Sequence, residues 1–156
     1  MISLVLARGL VMERIDYRKL GGAGFELLGK LSALAKSCSL DHGLIELVKL
    51  RASQINHCAN CVNLHANILR RQGEDEQRLQ SVVVWEEATC FSAREKAAFA
   101  WTEAVTLVAA GGVHDAVYEQ ARAQFSEQEL VDLTLAIVTI NAHNRLAVAF
   151  RRVPGS

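Results

Sequence analysis

Proline is nearly absent from this chain of 156 residues, and its absence limits the possible folds more than any other feature. The one proline, Pro154, lies near the end, and the glycines are few and partly grouped, as at Gly21–Gly24 and Gly111–Gly112. Proline and glycine interrupt or weaken helices, so their scarcity leaves room for long ones. Alanine, leucine and glutamate are abundant, whereas strands favour other residues. We therefore predict an all-α fold.

Apolar spacing and helix caps divide the chain into about six to eight helices. Asp41 is a good N-cap, and Gly73 lies where a C-terminal cap belongs. Two capping boxes, at 92–95 and 126–129, each begin a helix. The predicted helices span residues 25–38, 43–55, 58–72, 75–87, 92–110, 114–125 and 127–150. The last one is apolar on most sides, which is typical of a helix at the centre of a fold or in a subunit interface.

The length and charge of the chain favour a single domain over residues 1–156 that binds neither nucleic acid nor membrane. Acidic and basic residues number 17 each, so the basic excess typical of nucleic-acid or membrane-surface binding is missing. No stretch approaches the roughly 20 apolar residues of a membrane span. The apolar segment 1–12 lacks the basic start and cleavage site of a signal peptide, and Met12 could be an alternative start. We expect a cytoplasmic protein, and the balanced charge makes a homo-oligomer plausible.

Two cysteines and a histidine form the most informative motif of the sequence. Cys58, Cys61 and His65 are three and four residues apart, so on a helix all three side chains share one face. Cys58 lies at the predicted helix start, where free backbone N–H groups and the helix dipole lower the pKa of a thiol. His65 is placed to hydrogen-bond the sulfur of Cys61 and take its proton. The motif predicts thiol redox chemistry.

Two other interpretations of the motif stay open at this point. Three such side chains could bind zinc, with His57 or Glu46 as a fourth ligand, although structural zinc sites take ligand pairs from two chain segments. Two buried thiols and a core histidine could also occur together without a function. Cys38 and Cys90 stand alone in the sequence, and we expect them to be inert buried thiols.

A longer pattern around the motif is similar to that of a known family. Glu46, the run 50–56 (LRASQIN), the Cys58-x-x-Cys61-x-x-x-His65 motif and the run 140–148 (INAHNRLAV) resemble the alkyl hydroperoxidase D-like family, within the carboxymuconolactone decarboxylase superfamily. The likeness extends from about residue 14 to 154 and is sharpest between Glu46 and His65, inside a core motif region of about 41–110.

This resemblance implies an all-α bundle that assembles as trimers or hexamers, and a hydroperoxide reductase. Cys61 would attack the peroxide and become a sulfenic acid, and Cys58 would then condense with it to a disulfide. His65, oriented by Glu46, would deprotonate the thiol. No metal, flavin or haem is needed, and the electrons would come from a dithiol or lipoyl protein.

The resemblance also leaves questions and rivals. Well-studied members carry a histidine directly before the second cysteine, where this chain has Asn60. By helical pattern alone Glu46 would be a solvated glutamate, and only the family spacing makes it a site residue. Arg51, a charge among apolar neighbours, predicts a buried ion pair or an interface contact. The alternative functions are a carboxymuconolactone decarboxylase-like lyase, a non-catalytic redox sensor or structural module, and a zinc-binding protein.

Overall fold

Helices account for all the regular secondary structure in the part of the chain that the structure describes. A computed structural model describes residues 12–34 and 39–155. The helices are α1 (Tyr17–Leu20), α2 (Gly22–Leu34), α3 (His42–Ile55), α4 (Ala59–Arg71), α5 (Glu76–Ser81), α6 (Ala93–Thr106), α7 (Val108–Gly111), α8 (Asp115–Arg122) and α9 (Glu127–Ala149), with a 3₁₀ helix at Val82–Val84. Seven of these α-helices have six residues or more, and α1 and α7 are single turns. The predicted all-α class is confirmed.

Helix α3 is the centre of the fold. The side chain of Asp41 caps it by accepting a hydrogen bond from the Leu44 backbone N–H at 2.9 Å. Residues 44–50 are all buried, so this helix has no solvated face over two turns. It packs against α4, α6 and α9. The polar side chains of Glu46 and Lys49 are therefore held inside the protein with the apolar ones.

Apolar side chains form two main clusters on opposite sides of α3. One joins α3 to α6, α8 and α9, with Val48, Trp101 and Leu133 among its members. The other joins α3 to α4, α5 and α6, with Leu69 and Phe99 fully buried. A third, small cluster contains Ala52, Cys58, Cys61, Ile140 and Ala147, and so places the cysteine pair between α3 and α9.

Both predicted capping boxes are present, but several predicted helix bounds are wrong. Ser92 and Ser126 cap α6 and α9 in reciprocal hydrogen bonds with Glu95 and Glu129. The helix predicted over 75–87 ends at residue 81, because the chain tightens there into the 3₁₀ helix that leaves Val83 exposed. The helix predicted over 92–110 is interrupted at Leu107, and the helix predicted to begin at residue 25 begins at Gly22, inside the glycine group at 21–24.

Some expectations fall on residues outside the described part of the chain. The apolar segment before Met12 and the side chain of Cys38 belong to this group. No helix among residues 12–34 and 39–155 is long and apolar enough to cross a membrane.

The burial of a leucine side chain predicts how much it contributes to the free energy of unfolding. Leu133 is fully buried, so Leu133→Ala removes packed methyl groups and should lower the free energy of unfolding by about 2–5 kcal/mol. Leu27→Ala makes the same chemical change at an exposed position of α2 and should change it by less than about 0.5 kcal/mol. Urea unfolding followed by circular dichroism measures both. Equal losses would contradict the burial described here.

Candidate active site

A tight turn between α3 and α4 places Cys58 at a helix start. After α3 ends, His57 adopts a left-handed backbone conformation with φ of 54°. The backbone N–H groups of His57 and Cys58 then donate to the carbonyls of Gln54 and Ser53, at 3.1 and 3.0 Å. This is the hydrogen-bond pattern of a Schellman motif. Cys58 thus closes one helix and serves as the N-cap of the next.

The two site thiols are buried, form no disulfide and are hydrogen-bonded to each other. The Cys61 backbone N–H donates to the Cys58 sulfur at 3.4 Å. A hydrogen bond from the Cys61 side chain, aided by this backbone contact and opposed by burial, lowers the pKa of Cys58 to about 7. The hydrogen bond between the two thiols, followed by burial, raises the pKa of Cys61. Cys58 is therefore the more acidic member of the pair.

Glu46 is a buried carboxylate with a separate partner for each oxygen. It is 1% exposed, and its Oε1 accepts from Lys49 Nζ at 2.8 Å. Its Oε2 lies 2.7 Å from Nδ1 of His65. Burial alone would raise the pKa of Glu46, but the hydrogen bonds with His65 and Lys49 lower it to about 2. An ionised carboxylate accepts hydrogen bonds and cannot donate them, so Nδ1 of His65 carries a proton. Nε2, the other ring nitrogen, takes no part in this contact.

Asparagines from the α3 end and from α9 support the thiols from behind. Asn144 is fully buried and donates to Ser53 Oγ at 3.1 Å, while its own oxygen accepts from Asn56 at 3.0 Å. Hydrogen bonds from Asn144 add to the lowering of the Cys58 pKa and offset part of the rise that Cys58 and burial cause at Cys61. Asn56 also bonds Asn141 at 2.6 Å. These contacts fix the turn that carries Cys58 against α9.

A cavity of about 660 Å³ opens onto this site. Cys61, His65 and Glu46 line it, whereas Cys58 does not. His143 from α9 is a second imidazole in the wall, and burial, followed by the nearby charges of His65 and Lys49, lowers its pKa. The remaining lining residues include Tyr17, Arg18, Phe25, Asn60, Leu64, Ile68, Arg71, Ile140 and Arg152.

The structure brings the four predicted site residues together, with one difference in their contacts. Glu46 lies against His65 inside the protein, not in solvent as the helical pattern alone suggested. The hydrogen bond expected between His65 and Cys61 is absent from the described residues, and the imidazole bonds Glu46 through Nδ1. The two side chains share the cavity instead. The catalytic roles of these residues stay predictions.

Other expectations at this end of the molecule have mixed outcomes. Arg51 forms an ion pair with Glu103 at 2.7 Å, as one of its two predicted roles requires, but the pair is partly and not fully buried. Cys90 is a free thiol, although it is half-buried where full burial was expected. Within the described residues, no group of three or more histidine, cysteine, aspartate and glutamate side chains is placed to hold a metal ion. The structure therefore offers no ligand cluster for the zinc interpretation.

Sequence reasoning gave no role to three residues that build the site. Lys49 had a detectable signal, because a lysine three residues after Glu46 lies on the same helix face. Asn144 had a weaker one, a polar side chain in a helix that is apolar on most sides. Arg152 lies beyond the last helix, and no pattern in the sequence pointed to it.

Comparison with known proteins places the chain in a family. The sequence model of the carboxymuconolactone decarboxylase family matches residues 25–104. The chain belongs to this family. It is 34% identical over 137 residues to the uncharacterized protein YdfG of Bacillus subtilis, covering 88% of this chain and 93% of that protein.

Solved structures of related proteins share the fold. A crystal structure from Agrobacterium tumefaciens, of a protein of unknown function described as a candidate antioxidant defence protein AhpD, has a TM-score of 0.90 and 39% identity, over 93% of this chain and 99% of that one. An uncharacterized peroxidase-related protein from Silicibacter has a TM-score of 0.75 at 20% identity, over 85% and 70% of the two chains. This second likeness concerns the fold alone. The predicted alkyl hydroperoxidase D-like assignment is confirmed.

The buried carboxylate predicts a pH-dependent cost for Glu46→Gln. Because folding lowers the pKa of Glu46 from 4.5 to about 2, its charge stabilises the fold above about pH 4.5, and this effect is lost as the pH falls towards 2. Removing the carboxylate leaves buried Lys49 without its partner. Glu46→Gln should therefore lower the free energy of unfolding by about 3–5 kcal/mol at neutral pH.

Denaturant unfolding at neutral pH and at pH values below about 4 tests this dependence, and the cost of Glu46→Gln should shrink as the wild-type carboxylate is protonated. The control is Glu76→Gln, which removes an exposed ion pair with Arg70 and should have little effect at either pH. A cost of Glu46→Gln that stays constant with pH would show that its charge does not stabilise the fold.

The thiol pair predicts a thiolate near neutral pH that depends on Cys61. In protein with Cys38 and Cys90 replaced by serine, ultraviolet thiolate absorbance should rise with a midpoint near pH 7. Cys61→Ala removes the hydrogen bond to Cys58, so this midpoint should move towards the ordinary thiol value of 9.0. The matched variant Cys58→Ala should show no transition near pH 7. A transition that survives in Cys58→Ala would assign the acidic thiol to Cys61.

Proposed function

We propose that this protein is a thiol-dependent hydroperoxide reductase that cycles Cys58 and Cys61 between thiols and a disulfide. The observation that carries the proposal is the pairing of an acidic thiol with a second thiol that lines an open cavity. Sulfenic acid formation and condensation with a neighbouring thiol make up the reversible part of cysteine oxidation. The family membership agrees with this chemistry, and the 39% identical structure described as a candidate antioxidant defence protein AhpD supports it.

Cys61 is the sulfur that a peroxide can reach, because it lines the cavity and Cys58 does not. The thiolate is the nucleophile, so Cys61 must first lose its proton. Its hydrogen bond to the Cys58 thiolate supplies the route: the proton passes from Cys61 to Cys58 as the peroxide approaches. In this proposal His65, which lines the same cavity as Cys61 and whose imidazole Glu46 orients, takes up the proton that Cys58 releases.

The first step forms a bond between the Cys61 sulfur and the terminal peroxide oxygen and breaks the O–O bond. The alkoxide that leaves takes the proton from Cys58 and departs as an alcohol. In the second step the Cys58 thiolate attacks the Cys61 sulfenic acid and forms the disulfide. The hydroxide released takes the proton held by His65 and leaves as water. An external dithiol or lipoyl group then reduces the disulfide, becoming a disulfide itself.

Three further features of this proposal concern cofactors, assembly and location. No metal, flavin or haem takes part, since two thiols supply both electrons. A homo-oligomer, trimeric or hexameric, stays a prediction, and the exposed apolar row Val131, Leu135 and Val138 on α9 supports a covered face there. The cytoplasmic location is likewise a prediction.

The rival functions have less support from the site. A lyase of the carboxymuconolactone type does not use a cysteine pair, whereas here Cys61 lines the cavity and Cys58 is buried beside it. A non-catalytic redox sensor would form the same disulfide without turnover. Steady-state peroxide consumption with a recycling dithiol separates the sensor from the reductase.

Substitution of the two cysteines tests the proposal directly. Wild-type protein treated with one equivalent of tert-butyl hydroperoxide should lose two thiols, and mass spectrometry should map the disulfide to Cys58 and Cys61. Cys61→Ser should abolish peroxide reduction because the attacking sulfur is gone. Cys58→Ser should react only once and much more slowly than wild type, because Cys61 has lost the thiolate that accepts its proton, and the product should be a Cys61 sulfenic acid that dimedone traps.

The control for these variants is Cys90→Ser, which removes a free thiol outside the cavity and should leave turnover unchanged. Full activity of Cys61→Ser would show that the mechanism is wrong, and an unchanged thiol count in wild-type protein would exclude the disulfide cycle.

A further inference from the structure

One guanidinium nitrogen in the cavity wall has no partner. The side chain of Arg152 is 5% exposed and lines the cavity that holds Cys61 and His65. Its Nη1 donates to both carboxylate oxygens of Glu13, at 3.1 and 2.9 Å. Nη2 is buried and bonds no acceptor among residues 12–34 and 39–155. Because an unsatisfied buried donor destabilises a fold, this atom calls for an acceptor that the described chain does not provide.

The backbone holds Arg152 firmly in this place. After α9, Arg151 adopts a left-handed conformation with φ of 55°, which is uncommon for a residue other than glycine. The N–H groups of Arg151 and Arg152 donate to the carbonyls of Val148 and Ala147, at 3.2 and 2.8 Å. The helix end therefore fixes Arg152 beside the cavity, so its position does not depend on a loose tail.

The charges that surround the cavity favour an anion. Among the described lining residues, Glu46 is the one carboxylate, and Lys49 and His65 already occupy it. The basic side chains in the wall are Arg18, Lys49, Arg71 and Arg152. Lys49 and Arg152 are paired with Glu46 and Glu13, and Arg18 lies 4.0 Å from Asp16. Arg71 therefore carries the positive charge that has no carboxylate partner among the described residues. A concave site with an excess of one sign of charge attracts ligands of the other sign.

The remaining wall is apolar over much of its area, and the cavity is large enough for a medium-sized organic molecule. Phe25, Leu64, Ile68 and Ile140 line it. Its volume of about 660 Å³ lies within the range of sites for small organic ligands. Hydrogen peroxide alone would use little of this space.

We propose that Arg152 binds the carboxylate of an organic acid hydroperoxide, whose apolar body lies along the cavity and whose peroxide group faces Cys61. Guanidinium groups bind carboxylates through charge-assisted hydrogen bonds, and a single free nitrogen suits one carboxylate oxygen. The reacting end of this inference rests on the proposed peroxidase function. The carboxylate end rests on Arg152 alone.

A matched acid and ester test the inference by turnover. In wild-type protein, para-carboxycumene hydroperoxide should have a kcat/KM at least about tenfold higher than its methyl ester, because only the acid reaches Arg152 with a charge. Arg152→Gln should abolish this preference and bring the kcat/KM values of acid and ester within about twofold of each other. Glu13→Gln breaks the same ion pair but keeps the guanidinium, so it should retain the preference for the acid.

Binding of unreactive analogues separates the carboxylate subsite from the peroxidase proposal. By calorimetry, para-isopropylbenzoate should bind reduced wild-type protein at least about tenfold tighter than para-isopropylbenzamide, and Arg152→Gln should remove the difference. This result would support the subsite even if neither hydroperoxide were consumed, an outcome that would overturn only the peroxidase function. Equal affinity of the two analogues for wild-type protein would overturn the carboxylate subsite, and this comparison needs no variant that must fold.

Discussion

The buried Glu46 carboxylate is the interaction on which the site depends. A charge inside a protein is tolerated only when it is paired and hydrogen-bonded, and here Lys49 and His65 take one oxygen each. Lys49 lies on the same helix as Glu46, whereas His65 comes from the next one, so the carboxylate joins α3 to α4. The geometry of the site and the packing of α3 against α4 therefore depend on the same contacts. A substitution that weakens these contacts affects both.

Two helix ends with the same backbone geometry hold Cys58 and Arg152 in place. Each ends in a Schellman motif with a non-glycine residue in the left-handed conformation, His57 after α3 and Arg151 after α9. The residue that follows is Cys58 in the first case and Arg152 in the second. Such conformations persist when surrounding contacts determine them, and in both places the strained residue sets the direction of a functional neighbour. The thiol pair and the free guanidinium are therefore fixed by backbone hydrogen bonds.

The sequence predicts those features that depend on local spacing. Cys58, Cys61 and His65 share a face because the helix repeat places them there, and the serine caps of α6 and α9 were visible as capping boxes. Local pattern fails for Glu46, since α3 is buried on every side and has no solvated face to recognise; the family spacing identified it. Asn144 and Arg152 reach the site from the end of α9, and such a long-range contact leaves no trace in periodicity. The 75–87 helix was overestimated because apolar spacing does not distinguish an α-helix from a tighter 3₁₀ turn.

Acidity and access are divided between the two sulfurs, and this division accounts for how a buried thiol pair could select its oxidant. Cys58 has the lower pKa but faces the protein, whereas Cys61 faces the cavity and keeps its proton. In the proposed cycle a reactive thiolate is not presented to every small oxidant, because the nucleophile at Cys61 forms only after the proton moves to Cys58. A peroxide that resides in the cavity gains from this arrangement, since it is present when the transfer occurs. The residence time of the peroxide then depends on the groups that hold the rest of the molecule. The basic and apolar side chains of the cavity wall are placed to bind that part, so substrate binding and the proposed reaction depend on each other.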